Sequence, residues 1–565
     1  MKTPLRTILL IPTIAAWALA GTVSPDFQVT NPMTPVRVVV QLAAPNSSSF
    51  IGQLSRNGGA VQKQFLNFPS TVVVTVPAGA VKLLANLPFV KYVSPDRVNN
   101  KAKLDLTTAT VGSTVAFQNN LTGAGIGVAV IDSGIDTTNA DLAGRVVYSQ
   151  DFTGEGITTD LYGHGTHVAG IVGGSGTNSS GLYRGIAPGV KLINLRALDE
   201  TGSGYDSNII AAIDEAISLQ QKYNIRVINL SMGRPVFESW YNDPLCQAVE
   251  AAWQAGIMVV VSAGNDGRDN SAGTDGYGTV TAPGNDPWVI TVGAMKTEGT
   301  PGRSDDLVAS YSSKGPTQID LFVKPDIVAP GNLITSLRVP GSTLDVAYPY
   351  NRVAPSVYGG IGVTAKYFIM SGTSMAAPVV SGAAAILFQQ NPHLTPDQVK
   401  ARLMLTAGKS FPAANTATTP ASSVATDPTT GIRYTDYYDI FTIGAGYLDL
   451  VAAMNSTAIA PGSAVSPVAV LNPSTNTISI VNANQITWGE QITWGEQITW
   501  GEQITWGEQI TWGESVFNSE GAVAVSQSTP LASSTMVGAS SIWSASPTFA
   551  QSAPNAEGTM AKGEK

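Results

Sequence analysis

The sequence predicts an α/β protein: a doubly wound, mostly parallel sheet flanked by helices, preceded by a small α+β domain and followed by a low-complexity repeat tail. Three observations carry this. From Gly125 onward near-continuous apolar runs recur, "IGVAVID", "VKLINLRAL", "IRVINLSMG", "IMVVVSAGN" and "WVITVGA", and such runs suit strands buried on both faces of a parallel sheet. Helical patterns lie between and after them, "SNIIAAIDEAISLQQKY", "LCQAVEAAWQAG", "MAAPVVSGAAAILFQQN" and "TPDQVKARLMLTA", and this alternation implies βαβ units. At 565 residues the chain is also too long for one ordinary domain.

The first twenty residues, "MKTPLRTILLIPTIAAWALA", form a separate element. Lys2 and Arg6 precede a short apolar stretch that ends in a small-x-small signature at Ala18–Ala20. The stretch is too short to span a bilayer and stop there. Residues 1–20 read as a secretory signal peptide; the competing reading is a buried N-terminal helix. Removal after about Ala20 would leave a secreted, extracellular or cell-surface protein without a transmembrane anchor. Residues 30–98 follow with strand-like "VRVVVQL" and "TVVVTVP" and helical patches at Phe50–Leu54 and Ala80–Leu87. The polar stretch "RVNNKAKLD" then reads as a cleavable linker, with the cut between Asp96 and Asp105.

Composition narrows the function. The chain is 43% hydrophobic and only 13% charged, with net charge −9. That excludes the clustered basic footprint of a nucleic-acid binder. A single cysteine, Cys246, allows no intramolecular disulfide. A large core must therefore hold the domain together, and helical spacing around Cys246 makes it a buried structural thiol.

Residues 455–565 are rich in Ser, Ala, Pro and Thr and contain five identical copies of "QITWGE" at 485–514. The copies hold five of the ten tryptophans, and eight Glu against two Lys follow residue 452. A period of six is even, so an extended chain would place Ile, Trp and Glu on one face. Identical repeats also favour in-register stacking between chains. The tract reads as a surface for cell envelope, polysaccharide or its own kind, or as a duplicated spacer.

Chemistry collects where apolar runs end, as expected at the carboxyl ends of parallel strands. "GVAVIDSGID" places Asp132 at one such end and "VVVSAGNDG" places Asn265 at another. "YGHGTHVAG" contains His164 and His167, two of only three histidines, and "FIMSGTSMAAP" sets Ser374 where a helix begins. Acyl transfer needs these residue types. A serine hydroxyl requires an adjacent base, a neutral imidazole can take and return its proton, and a buried aspartate fixes the imidazole tautomer. An asparagine amide can donate to the oxyanion. A zinc reading of the histidine pair would want H-E-x-x-H; here the spacing is i, i+3 and no Glu intervenes. His167 reads as a packed structural residue and His393 as a surface one.

The blocks "VAVIDSGID", "GHGTHVAG" and "SGTSMAAP", in that order, resemble the three signature blocks of the subtilisin-like serine proteases (subtilases). "SYSSKGPT" and "KPDIVAPG" resemble stretches that precede the serine block. The resemblance covers roughly residues 104–454, which it implies to be a subtilisin-like catalytic domain. It implies Asp132 as the orienting acid, His164 as the base, Ser374 as the nucleophile and Asn265 as the oxyanion donor. "NLSMG" matches the family's substrate-binding edge at Ser231, Met232 and Gly233, and "GSG" at Gly202, Ser203 and Gly204 matches the facing edge. Ala263 and Gly264 would line the pocket for the residue before the scissile bond. Thr281 and Ala282 fall near its floor, where no acidic residue is evident, so the expectation is a broad or apolar preference rather than a basic one.

The resemblance further implies a self-processing zymogen. Residues 30–98 look like the family's propeptide, an intramolecular inhibitor and folding aid, and the partners are protein or peptide substrates. No cofactor is needed for catalysis. The resemblance also allows structural calcium: relatives bind it at a position matching Asp141, but the companion loop "GGSGTNSSGLYRG" differs from the best-known calcium loop, so its site is left unassigned. Asp136 reads as serving its turn, and Asp160 as capping the coming helix rather than shaping a pocket. The rival functional reading is a surface-interaction protein with a binding tail; an inactive domain would be expected to have lost one of the four catalytic residues. A lipase or esterase is excluded, because Ser374 does not lie in G-x-S-x-G and the chain order is wrong.

Overall fold

The strands that the apolar runs predict form one sheet in the computed structural model. The structure describes residues 21–24, 27, 31–44, 48–65, 69–95, 106–360, 364–412, 422–427, 431–460, 462–472, 477–481, 516–517, 523–524, 560 and 563–564. The signal-peptide reading, the linker with its cut and the QITWGE copies lie outside the described residues. Packing divides the chain into two units, Met1–Lys103 and Leu104–Lys565.

In the first unit β1 (Thr22–Val23), β2 (Pro35–Leu42), β3 (Ala60–Gln64), β4 (Thr71–Pro77) and β5 (Val90–Pro95) form a sheet in the order β1-β5-β2-β4-β3. Helices α1 (Ser48–Arg56) and α2 (Val81–Ala85) accompany it. Val38, Val40, Val72 and Val74 bury one face against Phe50, Leu54 and Leu84. The small α+β pattern predicted for residues 30–98 is present, with β3 as an added edge strand that its polar sequence "AVQKQ" did not signal.

The second unit opens with α3 (Thr107–Thr110) and α4 (Ser113–Gln118). Its main sheet contains β6 (Gly127–Asp132), β7 (Val146–Asp151), β8 (Lys191–Arg196), β9 (Ile225–Leu230), β10 (Met258–Ser262), β11 (Ile290–Lys296), β12 (Leu307–Val308) and β13 (Ile327–Pro330). The order is β7-β8-β6-β9-β10-β11-β12, with β13 also on β11, and every pairing except β11 with β12 is parallel. All residues of β6, β10 and β11 are buried, which is why their runs are continuously apolar. The helices are α5 (His164–Gly173), α6 (Asp206–Ser218), α7 (Gln220–Tyr223), α8 (Pro244–Gln254), α9 (Thr343–Ala347), α10 (Thr373–Gln390), α11 (Pro396–Thr406), α12 (Ile440–Ile443) and α13 (Leu450–Asn455). β14 (Ile334–Leu337), β15 (Arg352–Val353) and β16 (Tyr367–Met370) make a small separate sheet.

After β6 the chain lays β7 and β8 on one side, then crosses to lay β9 to β11 on the other. The order therefore reverses around β6, and the crevice outside the carboxyl ends of β6, β9 and β10 is the natural ligand site of such a sheet. Helix α10, buried from Met375 to Phe388, packs on β9, β10 and β11 and against α5. Among the described residues no helix is long and apolar enough to cross a membrane.

The composition-based start of the tail at residue 455 falls inside this unit. Ala460 and Ala464 pack with Ala401, Met404 and Ala445. Val323 N donates to Pro467 O (2.8 Å) and Ala469 N to Leu321 O (2.8 Å). Alanine-rich sequence reads as low complexity, yet its small side chains allow this close approach.

Candidate active site

Asp132 ends β6 fully buried. Its carbonyl accepts from Ala197 N (2.8 Å) and Leu198 N (3.2 Å), which fastens the strand end to the chain leaving β8. Ser133 N donates to Asp132 Oδ1 (2.8 Å). Beneath this turn lies Arg196, which no motif singled out. Its buried guanidinium donates to Ser133 O (3.3 Å), Asp151 Oδ1 (3.1 Å) and Glu155 Oε2 (2.7 Å). A buried cation is tolerable only with such partners, and here they hold the aspartate turn in place.

His164 is the first residue of α5. Asp160 accepts from Gly163 N (2.6 Å) and Thr166 N (2.8 Å), so it caps the helix and satisfies amides that lack intrahelical partners. Burial pushes the Asp160 carboxyl above its ordinary range, against these donors. Ser133 Oγ donates to Asp160 Oδ1 (2.9 Å) and accepts from Gly165 N (3.0 Å), joining cap, helix and strand end. Gly165 is required by proximity: a Cβ there would lie 2.3 Å from Gly134 O and 3.1 Å from Asp132 Cβ.

This close approach brings His164 Nδ1 to 2.8 Å from Asp132 Oδ1 and 3.0 Å from Oδ2. With Nδ1–H donating to the carboxylate, Nε2 carries the lone pair of the neutral ring. Burial opposes the imidazolium, but the Asp132 charge and hydrogen bond outweigh it and hold the His164 pKa above its ordinary value. His167 behaves in the opposite way. It is fully buried, Nε2–H donates to Phe368 O (3.1 Å), and burial pushes its pKa down to about 3. The two histidines therefore divide into one poised for protonation and one kept neutral.

Ser374 is the second residue of α10, half-buried where its neighbours are buried. Thr373 ties this turn to the end of β10: its N–H donates to Asn265 Oδ1 (2.9 Å) and its hydroxyl lies 3.1 Å from the same oxygen. Asn265 Oδ1 is thereby used, which leaves its Nδ2 donors directed elsewhere. Gly372 has φ +150°, and a Cβ there would lie 3.3 Å from Asn265 Nδ2. Pro378 has no N–H for the carbonyl four residues back, which is that of Ser374. Ser231 Oγ donates to Ser374 O instead (2.8 Å) and accepts from Asn229 Nδ2 (2.9 Å).

Of the two expected substrate edges, the one at Ser231–Gly233 touches the Ser374 turn through Ser231. Met232 and Gly233 lead into Arg234, which exchanges backbone hydrogen bonds with Ala282 (3.0 and 2.8 Å). Thr281 sits between the two faces of this corner. A Cβ at Gly233 would meet its Oγ1 at 2.2 Å, and one at Gly264 its Cγ2 at 2.9 Å. Ala263 is buried beside it, with its carbonyl accepting from Thr281 N (3.1 Å). On the facing side Ser203 and Gly204 are exposed, and Gly202, at φ +78°, would place a Cβ 2.5 Å from the Tyr162 ring. The structure thus sets the Gly202 edge beside the turn that leads to His164.

The remaining candidates serve local structure. Thr138 N and Oγ1 donate to Asp136 Oδ1 (3.0 and 2.6 Å), a turn role. Asp141 is fully buried, and its oxygens accept from Asn178 N (2.7 Å) and the Tyr367 hydroxyl (2.6 Å). Both carboxylate oxygens are thus engaged by protein donors. Among the described residues no group of three His, Cys, Asp or Glu side chains is arranged to hold a metal. Cys246 is buried, with its pKa pushed far up by burial, and His393 is exposed.

The profile of the subtilase family matches residues 123–427. Serine protease AprX of Bacillus subtilis (strain 168) is 42% identical over 315 residues, 54% of this chain and 66% of that protease. Subtilisin E of the same organism is 34% identical over 375 residues, 66% of this chain and 84% of subtilisin E. A cold adapted subtilisin-like serine proteinase of known crystal structure aligns over 51% of this chain and 84% of its own with 31% identity and a TM-score of 0.38. With its motifs in subtilase order and that profile matching more than half its length, the chain belongs to the subtilase family of serine proteases.

Proposed function

We propose that this serine endopeptidase cleaves peptide bonds through Asp132, His164 and Ser374, with Asn265 as oxyanion donor, and that it is secreted as a zymogen which processes itself. The observation that carries the reading is the bidentate approach of His164 Nδ1 to the buried Asp132 carboxylate, at 2.8 and 3.0 Å. That contact leaves Nε2 as the basic nitrogen of a neutral ring. Nε2 takes the proton from Ser374 Oγ as the hydroxyl attacks the substrate carbonyl, and the imidazolium is stabilised by Asp132. The developing oxyanion is received by Asn265 Nδ2, which is free because Thr373 occupies Oδ1. His164 then returns the proton to the leaving amine, and water repeats the cycle on the acyl-enzyme.

An extended peptide would lie between Gly202–Gly204 and Ser231–Gly233, adding a strand through backbone hydrogen bonds. Thr281 at the base of the adjoining pocket, beside Ala263 and Gly264, favours residues of broad or apolar character. The absence of an acidic group in that corner, among the described residues, leaves a bound cation unpaired and so disfavours strict Arg or Lys specificity. Residues 30–98 act in this reading as the intramolecular inhibitor.

The test is casein hydrolysis and intact mass of the purified secreted protein beside Ser374→Ala. The parent is expected to lose about its first hundred residues and digest casein, while the variant does neither. In subtilisin itself, removing the serine lowers kcat by about 2 × 10⁶, and removing one oxyanion donor by about 10²–10³; Ser374→Ala and Asn265→Ala should fall on those scales. Retention of the leader region by both proteins with no cleavage by either would overturn the reading.

A further inference from the structure

We infer that the catalytic unit carries a recognition site for a Gly-Glu dipeptide, and that the chain's own Gly563-Glu564 occupies it. Glu564 is 1% exposed, although it stands next to the last residue of the sequence. Its Oε1 accepts from Arg268 Nη2 (2.5 Å), from Ser310 N (2.9 Å) and from the Ser310 hydroxyl. Its Oε2 lies 3.4 Å from Lys296 Nζ. The backbone is read as well: Glu564 N donates to Asn332 Oδ1 (2.8 Å), and Asn332 Nδ2 donates to Glu564 O (2.8 Å). Upstream, Ser371 N donates to Met560 O (2.8 Å).

Glycine is demanded before the glutamate. Gly563 has φ +58°, and a Cβ there would lie 2.4 Å from Ser371 Oγ, 2.7 Å from Leu333 Cδ2 and 3.0 Å from Asn332 Oδ1. Charge, a paired backbone amide and steric exclusion of a side chain together make this a specific site. Its walls come from segments far apart in sequence. Lys296 ends β11, Ser310 and Asn332 follow β12 and β13, Arg268 lies three residues beyond Asn265, and Ser371 three before Ser374. Both cations have other partners, Asp427 for Arg268 (2.7 Å) and Glu298 for Lys296 (3.6 Å).

Two consequences follow. Residues 466–469 and Glu564 are held on the same unit, so the stretch containing the repeats is tethered at both ends. Each QITWGE copy also ends in Gly-Glu, the dipeptide this site selects.

The test needs no catalysis and so separates from the proposed protease reading. Full-length Ser374→Ala protein is treated with a carboxypeptidase, and trimming is followed by intact mass beside the free heptapeptide TMAKGEK. The docked end should lose Lys565 and then be trimmed at least tenfold more slowly than the peptide. Gly563→Ala and Glu564→Gln should each be trimmed within twofold of the peptide rate, as should Lys296→Gln, which changes the site rather than its occupant. Trimming of the parent end as fast as the free peptide would overturn the inference, as would equal protection of all three variants.

Discussion

The carbonyl of Ser374 lacks its helical donor because residue 378 is proline, and the Ser231 hydroxyl fills the gap at 2.8 Å. An unsatisfied buried acceptor costs about 1–3 kcal/mol. Ser231→Ala should therefore destabilise by about that much, measured by denaturant unfolding in the Ser374→Ala background. In a Pro378→Ala chain the restored N–H can serve the carbonyl, so the same Ser231→Ala change should cost less than half as much. Equal costs in both backgrounds would sever the link between these residues. The Asp132–His164 pair makes a second residue-scale prediction. The proposed mechanism needs neutral His164, so the rate should fall as pH drops through its raised pKa. Asp132→Asn removes the charge that raises it. The acid limb of kcat/KM should then move to lower pH, while kcat drops by about 10⁴-fold. An unmoved limb would mean that another group sets it.

Helix α5 can approach β6 only because residue 165 has no side chain. Gly165→Ala would place a Cβ 2.3 Å from Gly134 O, a backbone atom that cannot rotate away. Overpacking of this kind costs about 1–3 kcal/mol, but the larger effect should be catalytic. A shift of about 1 Å in the base costs about 10²-fold, so kcat should fall at least that far while KM changes little. A folded variant with parental kcat would contradict this account. At this scale much was legible in sequence. The strands β6 and β8 to β11 declared themselves because both faces are buried, and α11 because its helical pattern opens on Thr395-Pro396, where Thr395 caps the helix. By contrast β7, "VVYSQD", is half-exposed at the sheet edge, so its composition carries no continuous run. The aspartate, histidine and serine of the proposed triad were legible because each sits in a glycine-marked turn. Arg196 was not: it is a single charge closing the run "VKLINLRAL", and its partners Asp151 and Glu155 become visible only after β7 and β8 pair. Nor could composition separate packed Ala460 and Ala464 from the Ser/Ala/Pro/Thr-rich sequence that follows.

Across the whole catalytic unit one buried cation ties distant parts of the chain together. Lys400 of α11 has no exposed surface, and its Nζ donates to Pro287 O (3.0 Å), Trp288 O (3.2 Å), Val289 O (2.9 Å) and Ser466 Oγ (3.1 Å). It also lies 3.3 Å from Asp326 Oδ1, the oxygen that accepts from Ser466 Oγ (2.5 Å). Asp326 in turn pairs with Lys324 (2.7 Å) and accepts from Thr291 N (2.7 Å). Strand β11, the segment leading into β13, helix α11 and the chain beyond residue 455 thus share one network. Burial lowers the Lys400 pKa to about 7 while Asp326 resists the shift. The folded state then binds fewer protons at this site than the unfolded chain, and Lys400 adds stability as pH rises from about 7 toward the ordinary lysine range. Lys400→Met keeps the volume but leaves three carbonyls without that donor and Asp326 with less compensation. Breaking one side of a buried ion pair costs about 3–5 kcal/mol. The variant, made in the Ser374→Ala background, should lose that much in denaturant unfolding. The same change should expose residues 456–472 to an added protease ahead of the sheet, because Ser466 is their side-chain link to the buried network. Its stability should also rise less with pH above 7 than the parent's. If unfolding stays cooperative and unshifted, the network is dispensable, and the alanine contacts with α11 and the backbone hydrogen bonds of Pro467 and Ala469 hold that segment.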